Sequence, residues 1–83
     1  MIKINRQEFY KKLNTLDNEE KIQDIKKIVN QTKKGYLIEY KDIIDNVNEL
    51  QFVIDLEELK NELEYLIEYV DWFTVDKVYE LEF

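Results

Sequence analysis

Within ELEYLIEYVDW, residues 62 to 72, three large amphipathic rings, Tyr65, Tyr69 and Trp72, recur among carboxylates at helical spacing. The chemistry open to such a set is association. Tyr and Trp carry wide apolar area, a polar tip and little rotamer entropy, which concentrates them at binding hot spots. At about 100° per residue with Leu56 as origin, Leu56, Leu59, Leu63, Leu66, Val70 and Phe73 form an aliphatic stripe centred near roughly 320°. On the same wheel Tyr65, Trp72 and Tyr69 fall at roughly 180°, 160° and 220°. Glu57, Glu64, Glu68 and Asp71 fall between about 60° and 120°, with Asn61 beside them. The helix therefore has an aliphatic, an acidic and an aromatic face. A small domain has more surface than interior, so the aromatic face is a candidate contact surface unless an N-terminal helix is laid over it.

Bond-making chemistry lacks its usual reagents. The 83 residues include no Cys, His, Ser, Ala or Pro, and Gly35 is the only glycine. Thiolate or imidazole zinc sites, disulfides, a thiol or serine nucleophile and an imidazole base are all excluded. One glycine cannot build a phosphate-cradling loop. Carboxylate pairs remain, but acid and base work needs a cleft that so short a chain seldom forms. DNVNE at 45–49 offers oxygen ligands, yet Val47 falls where a calcium loop needs one, and the required glycine is missing. No enzyme activity, cofactor or metal is expected.

Eighty-three residues imply one domain over residues 1–83, able to hide roughly 60 to 65% of the surface of its unfolded chain. Hydrophobic residues at 45% and aromatics at 13% predict a folded globule despite 37% charge. The start, MIKINRQEFYKK, has no apolar core of a signal peptide, and no apolar run approaches the roughly 20 residues that span a bilayer. A cytosolic location is expected. The vocabulary of Ile, Lys, Asn, Glu and Tyr suggests an AT-rich coding sequence, as in low-GC bacteria, their mobile elements and phages.

The elements that must position the rings follow from spacing. Met1 to Ile4 reads as a short strand, and Asn5 with Glu8 has capping-box spacing for a helix over about 6–14 with Phe9 and Leu13 inward. Asp17 and Glu20 repeat that spacing before Ile22, Ile25, Ile28 and Val29, and Lys33, Lys34 and Gly35 close the second helix. YLIEYKDII and LQFVI alternate in polarity around a DNVN turn and predict a hairpin, although Tyr40, Ile43, Ile44, Val47 and Leu50 also fit a helical period. Asp55 with Glu58 caps the long helix, 56 to about 72. TVDKVYELEF alternates Val75, Tyr79, Leu81 and Phe83 with polar residues, predicting an edge or terminal strand in which Lys77 interrupts the apolar face and Val78 falls on the polar one. The fold class is α+β, a small antiparallel sheet packed on about three helices in the order β-α-α-β-β-α-β, with a mostly α fold as the alternative.

Charge is divided along the chain. Residues 1–34 hold nine basic and five acidic side chains and residues 35–83 three and fourteen, within a net charge of −7. Either the lysines of the second helix compensate the acidic half within the molecule, or the acidic half faces a partner with a basic groove. Acidic residues three or four apart on a helix stand about 5 to 6 Å apart along its axis, near the phosphate spacing of a nucleic-acid strand. Direct nucleic-acid binding is not expected: the lysines of the second helix are interleaved with acids, and Arg6 is the only arginine. The acidic stretch from Glu49 to Phe83 with its aromatic row resembles the small acidic phage proteins that act on host nucleic-acid enzymes, such as anti-CRISPR proteins and uracil-DNA glycosylase inhibitors. That resemblance implies a stoichiometric inhibitor in the host cytoplasm, acting by nucleic-acid mimicry. Glu57, Glu64, Glu68 and Asp71 would stand in for phosphates, with Tyr65, Tyr69 and Trp72 as anchors. The alternative is a structural or regulatory homodimer joined through the aromatic row.

Overall fold

A computed structural model describes residues Met1–Phe83. The chain runs β1 (Ile2–Asn5), α1 (Arg6–Leu13), α2 (Glu19–Thr32), β2 (Tyr36–Asp42), β3 (Val47–Val53), α3 (Leu56–Glu68) and β4 (Phe73–Glu82). This is the α+β order that the spacing predicts. Each helix starts on a side-chain cap: Asn5 accepts from the Glu8 N–H at 2.8 Å, Asn18 from Lys21 at 3.0 Å and Asp55 from Glu58 at 2.9 Å. These bonds satisfy donors that a helix cannot satisfy within itself.

Four strands form one sheet in the order β1-β4-β2-β3, antiparallel except that β1 lies parallel to β4. Neighbouring side chains on a strand point to opposite faces, so β2 contributes Leu37 to one core and Ile38 to another. On the first face α1 and α2 bury Phe9, Leu13, Ile22, Ile25 and Val29 against Leu37, Tyr79 and Leu81. On the second, α3 alone buries Leu59 and Leu66 against Tyr36, Ile38 and Val53. The sheet thus separates a two-helix layer from a one-helix layer, and no helix covers the outer side of α3.

Several expectations are corrected. The helix starting at Leu56 stops at Glu68, four residues short of Trp72, because Tyr69 leaves helical geometry with ψ 46°. The N–H groups of Trp72 and Phe73 both turn back onto the Tyr69 carbonyl, at 2.9 and 3.0 Å, and the chain reverses into β4. The aliphatic stripe is accordingly shorter, with Leu56 and Val70 more than half exposed. β4 lies between β1 and β2 and is not an edge. Its pairing with β2 shifts register where Glu39 faces Lys77 and Tyr40 faces Val75, leaving Asp76 as the extra residue of a bulge. The bulge explains the irregular alternation: Val75 and Val78 both pack toward α3, whereas Tyr79 and Leu81 pack toward α1 and α2.

Smaller corrections follow from local geometry. Asn18, not Asp17, caps α2. Lys33, not Gly35, takes the left-handed position that ends α2, at φ 60°. Gly35 is required for space, since a Cβ there would lie 2.6 Å from Phe52 Cε1 and 3.3 Å from Phe9 Cζ. The hairpin turns over residues 43–46, two residues earlier than DNVN, with Asn46 at φ 55°. Asp42 holds that turn by accepting from the N–H groups of Ile44 and Asp45, at 3.0 and 3.1 Å. No helix is long and apolar enough to cross a membrane.

Candidate functional site

The three rings singled out by spacing are brought together although Trp72 lies beyond the helix. Tyr65 and Tyr69, one turn apart, have centroids 4.9 Å apart, and Tyr69 stacks on Trp72 at 5.3 Å with planes 19° apart. Tyr65 continues the row inward to Phe73 at 6.3 Å, and Phe73 meets Tyr40 edge-on at 5.6 Å. The inner end of this ladder is part of the core under α3. Its outer end is solvent-facing: Tyr65 is 49% exposed, Tyr69 37% and Trp72 48%.

The hairpin turn extends the patch. The Ile43 N–H donates to the Trp72 carbonyl at 2.8 Å, which pins the β2–β3 turn beside the end of α3. Ile43 and Ile44 are 46% and 67% exposed there. These two residues were missed by sequence reasoning, as were Tyr40 and Phe73. A signal was present, since two consecutive β-branched apolar residues occupy a turn where polar residues ordinarily satisfy the backbone.

The predicted carboxylates divide into two groups. Glu57, Glu64 and Glu68 all lie on α3 and are exposed, on the crest of the helix opposite buried Leu59 and Leu66. Asp71 is exposed too, but it lies in the turn after α3, so the acidic line does not continue to it along one helix face. A second set gathers at the root of the rings. Burial raises the Tyr40 hydroxyl above its usual pKa of 10.0, and the fields of Glu49, Glu62 and Asp42 push it further in the same direction. Those three carboxylates, from β3, α3 and the end of β2, therefore lie within electrostatic reach of Tyr40, and Tyr65 adds to the same field.

Little inside the molecule offsets this charge. From Leu56 to Trp72 six carboxylates are accompanied by one cation, Lys60. The single ion pair in the molecule, Lys12 Nζ to Glu39 Oε1 at 3.0 Å, is on the opposite face of the sheet. Burial opposes the charge on Lys12, but its bonds to Glu39 and Tyr79 outweigh that and raise its pKa. The lysines of α2 do not lie over α3, because the sheet stands between the two helices, although Lys21 lines a groove with Glu49 of β3. Layers on the order of 20 Å apart exceed the Debye length of about 8 Å at physiological salt, so exposed charges on them scarcely offset one another.

No three His, Cys, Asp or Glu side chains converge as metal ligands. The largest concavity, an open groove of about 530 Å³ between the α1–α2 connection and the hairpin, is lined by Thr15, Leu16, Glu39, Leu50 and Asp76 among others. Its Glu39 is committed to Lys12 and to the Tyr79 hydroxyl, which donates at 3.2 Å. No protein-family model, curated protein or solved structure matches the chain.

Proposed function

We propose that this chain is a stoichiometric binding protein that docks a basic partner through the outer side of α3 and the adjoining hairpin turn. In its sharper form, the partner is a nucleic-acid-binding protein and the effect is inhibition by mimicry. Glu64 and Glu68 stand about 6 Å apart along the helix axis and Glu57 about 10 Å before them, so the crest offers negative charge at intervals a phosphate-binding cleft accepts. Asp71 adds charge from the following turn.

The observation that carries the proposal is the coexistence, on one uncovered layer, of half-exposed stacked rings and carboxylates with almost no internal counter-charge. Opposite fields would steer association and make it salt-sensitive, while the rings, once desolvated, would slow dissociation. A symmetric dimer through the same surface brings two acidic layers face to face, which opposes that arrangement.

The test has two stages. Sedimentation at several concentrations should give a monomer, whereas a dimer that dissociates on Trp72→Ala would support homodimerisation instead. A partner captured from a low-GC bacterial lysate is then bound to its DNA or RNA, and the protein is titrated in while nucleic acid is followed by mobility shift. Release complete near one equivalent, and lost with Glu64→Lys/Glu68→Lys, is the expected result. A partner that binds the protein while keeping its nucleic acid would refute mimicry.

A further inference from the structure

Three aromatic rings away from α3, those of Phe83, Tyr79 and Tyr10, are matched with cations, and the exposed rings beside α3 are not. Arg6 and Lys33 lie over Phe83, at 5.1 and 4.5 Å from the ring centroid. Lys12 lies over Tyr79 at 4.1 Å and Lys26 over Tyr10 at 5.4 Å. All four cations belong to α1, α2 or the cap that ends α2. Tyr65, Tyr69 and Trp72 instead have one another and carboxylates. On α3, Glu62 and Glu68 stand one turn to either side of Tyr65.

We propose that this surface docks arginine: guanidinium groups of a partner protein stack on Tyr65, Tyr69 and Trp72 and donate to the flanking carboxylates, so that arginine is preferred over lysine at equal charge. The inference rests on the basic-partner proposal above and specifies its chemistry. Two physical features favour the guanidinium. It is planar and weakly hydrated, so it can lie against the nearly parallel Tyr69–Trp72 pair while its edge donors reach carboxylates; an ammonium is compact, strongly hydrated and has no face to stack. Carboxylates lie to both sides of the rings, so a stacked guanidinium has acceptors in more than one direction. A second copy of the chain is a poor occupant, because its one arginine, Arg6, is engaged with Phe83. Nucleic acid is disfavoured by the same carboxylates.

Trp72 is the only tryptophan, so its emission reports on the surface without a label. The full chain is titrated with two Gly-Ser peptides that are identical except that every cation is Arg in one and Lys in the other. The Arg peptide should shift Trp72 emission and bind at least about fivefold more tightly than the Lys peptide at equal ionic strength. In Tyr65→Leu/Tyr69→Leu, both peptides should retain weak, salt-sensitive binding and the preference should vanish. Glu62→Gln/Glu68→Gln should weaken both peptides. Equal affinity in the parent protein, or a preference that survives loss of both tyrosines, would overturn arginine docking and leave the basic-partner proposal standing. Failure of both peptides to bind at low salt would overturn both proposals. The parent comparison needs no variant to fold.

Discussion

Gly35→Ala tests the packing between the two-helix layer and the sheet, and its cost can be worked from two distances. Gly35 is buried immediately before β2, its carbonyl accepting from the Leu81 N–H at 2.9 Å, and its φ is not positive. An alanine is therefore tolerated by the backbone, and only space is at issue. The new methyl would lie 2.6 Å from Phe52 Cε1 and 3.3 Å from Phe9 Cζ. Carbon atoms ordinarily approach to about 3.5 to 4.0 Å, so the Phe52 ring must retreat by roughly 1 Å. Phe52 meets Phe9 edge-on at 6.1 Å, and Phe9 is fully buried, which leaves the pair few places to go. Overpacking of this kind costs about 1 to 3 kcal/mol, and the stiffer unfolded chain returns about 0.4 to 1 kcal/mol. The net loss should be about 1 to 2 kcal/mol, or roughly 5 to 15 °C in Tm for a domain of this length. Urea melts of the parent, Gly35→Ala, Phe52→Leu and the double variant close a cycle. Because Phe52→Leu removes the clashing atom, the alanine should cost about 1 kcal/mol less in that background. Equal stability of Gly35→Ala and the parent, or an equal cost in both backgrounds, would refute the steric account.

Three further predictions follow. Stability should be level near neutrality and fall as pH rises past about 10, because burial raises Tyr36 and Tyr40 above 10.0, and Lys12, with burial opposing and its bonds to Glu39 and Tyr79 prevailing, is raised above 10.5. In that range the folded chain holds more protons than the unfolded one, so the slope with pH is negative; thermal melts of Tyr36→Phe/Tyr40→Phe should show a shallower alkaline decline. With a captured partner, Glu64→Lys/Glu68→Lys should lower the association rate and flatten its salt dependence, whereas Trp72→Ala should raise the dissociation rate; surface plasmon resonance separates the two. Asn46→Ala at φ 55° should cost about 1 kcal/mol in a urea melt and Asn46→Gly close to nothing, since only the alanine bears the full left-handed penalty.

Local chemistry determined much of this molecule. Asn5 and Asp55 cap the helices that their spacing announces, Phe9 and Leu13 turn inward one turn apart, and strand alternation in YLIEYKD distinguishes Leu37 from Ile38. These outcomes depend on bonds and periodicities spanning a few residues, which any sequence displays. The rings Tyr65 and Tyr69 were legible as a solvent-facing pair for the same reason. Tertiary structure decided the rest. Whether α3 would be covered on one side or two depended on which face of the sheet received it, and no local pattern encodes that choice. The sheet placed α1 and α2 opposite, so both the rings and the acidic crest stay uncovered. Trp72 joined the row through a chain reversal after Tyr69, and Ile43 arrived through a hydrogen bond between segments 29 residues apart in sequence. The bulge at Asp76 moved Val75 and Val78 to one face because β4 had to keep register with β2 across both cores. Sheet order and layer assignment are set by the burial of all the apolar faces at once, so they emerge only when the whole chain has packed.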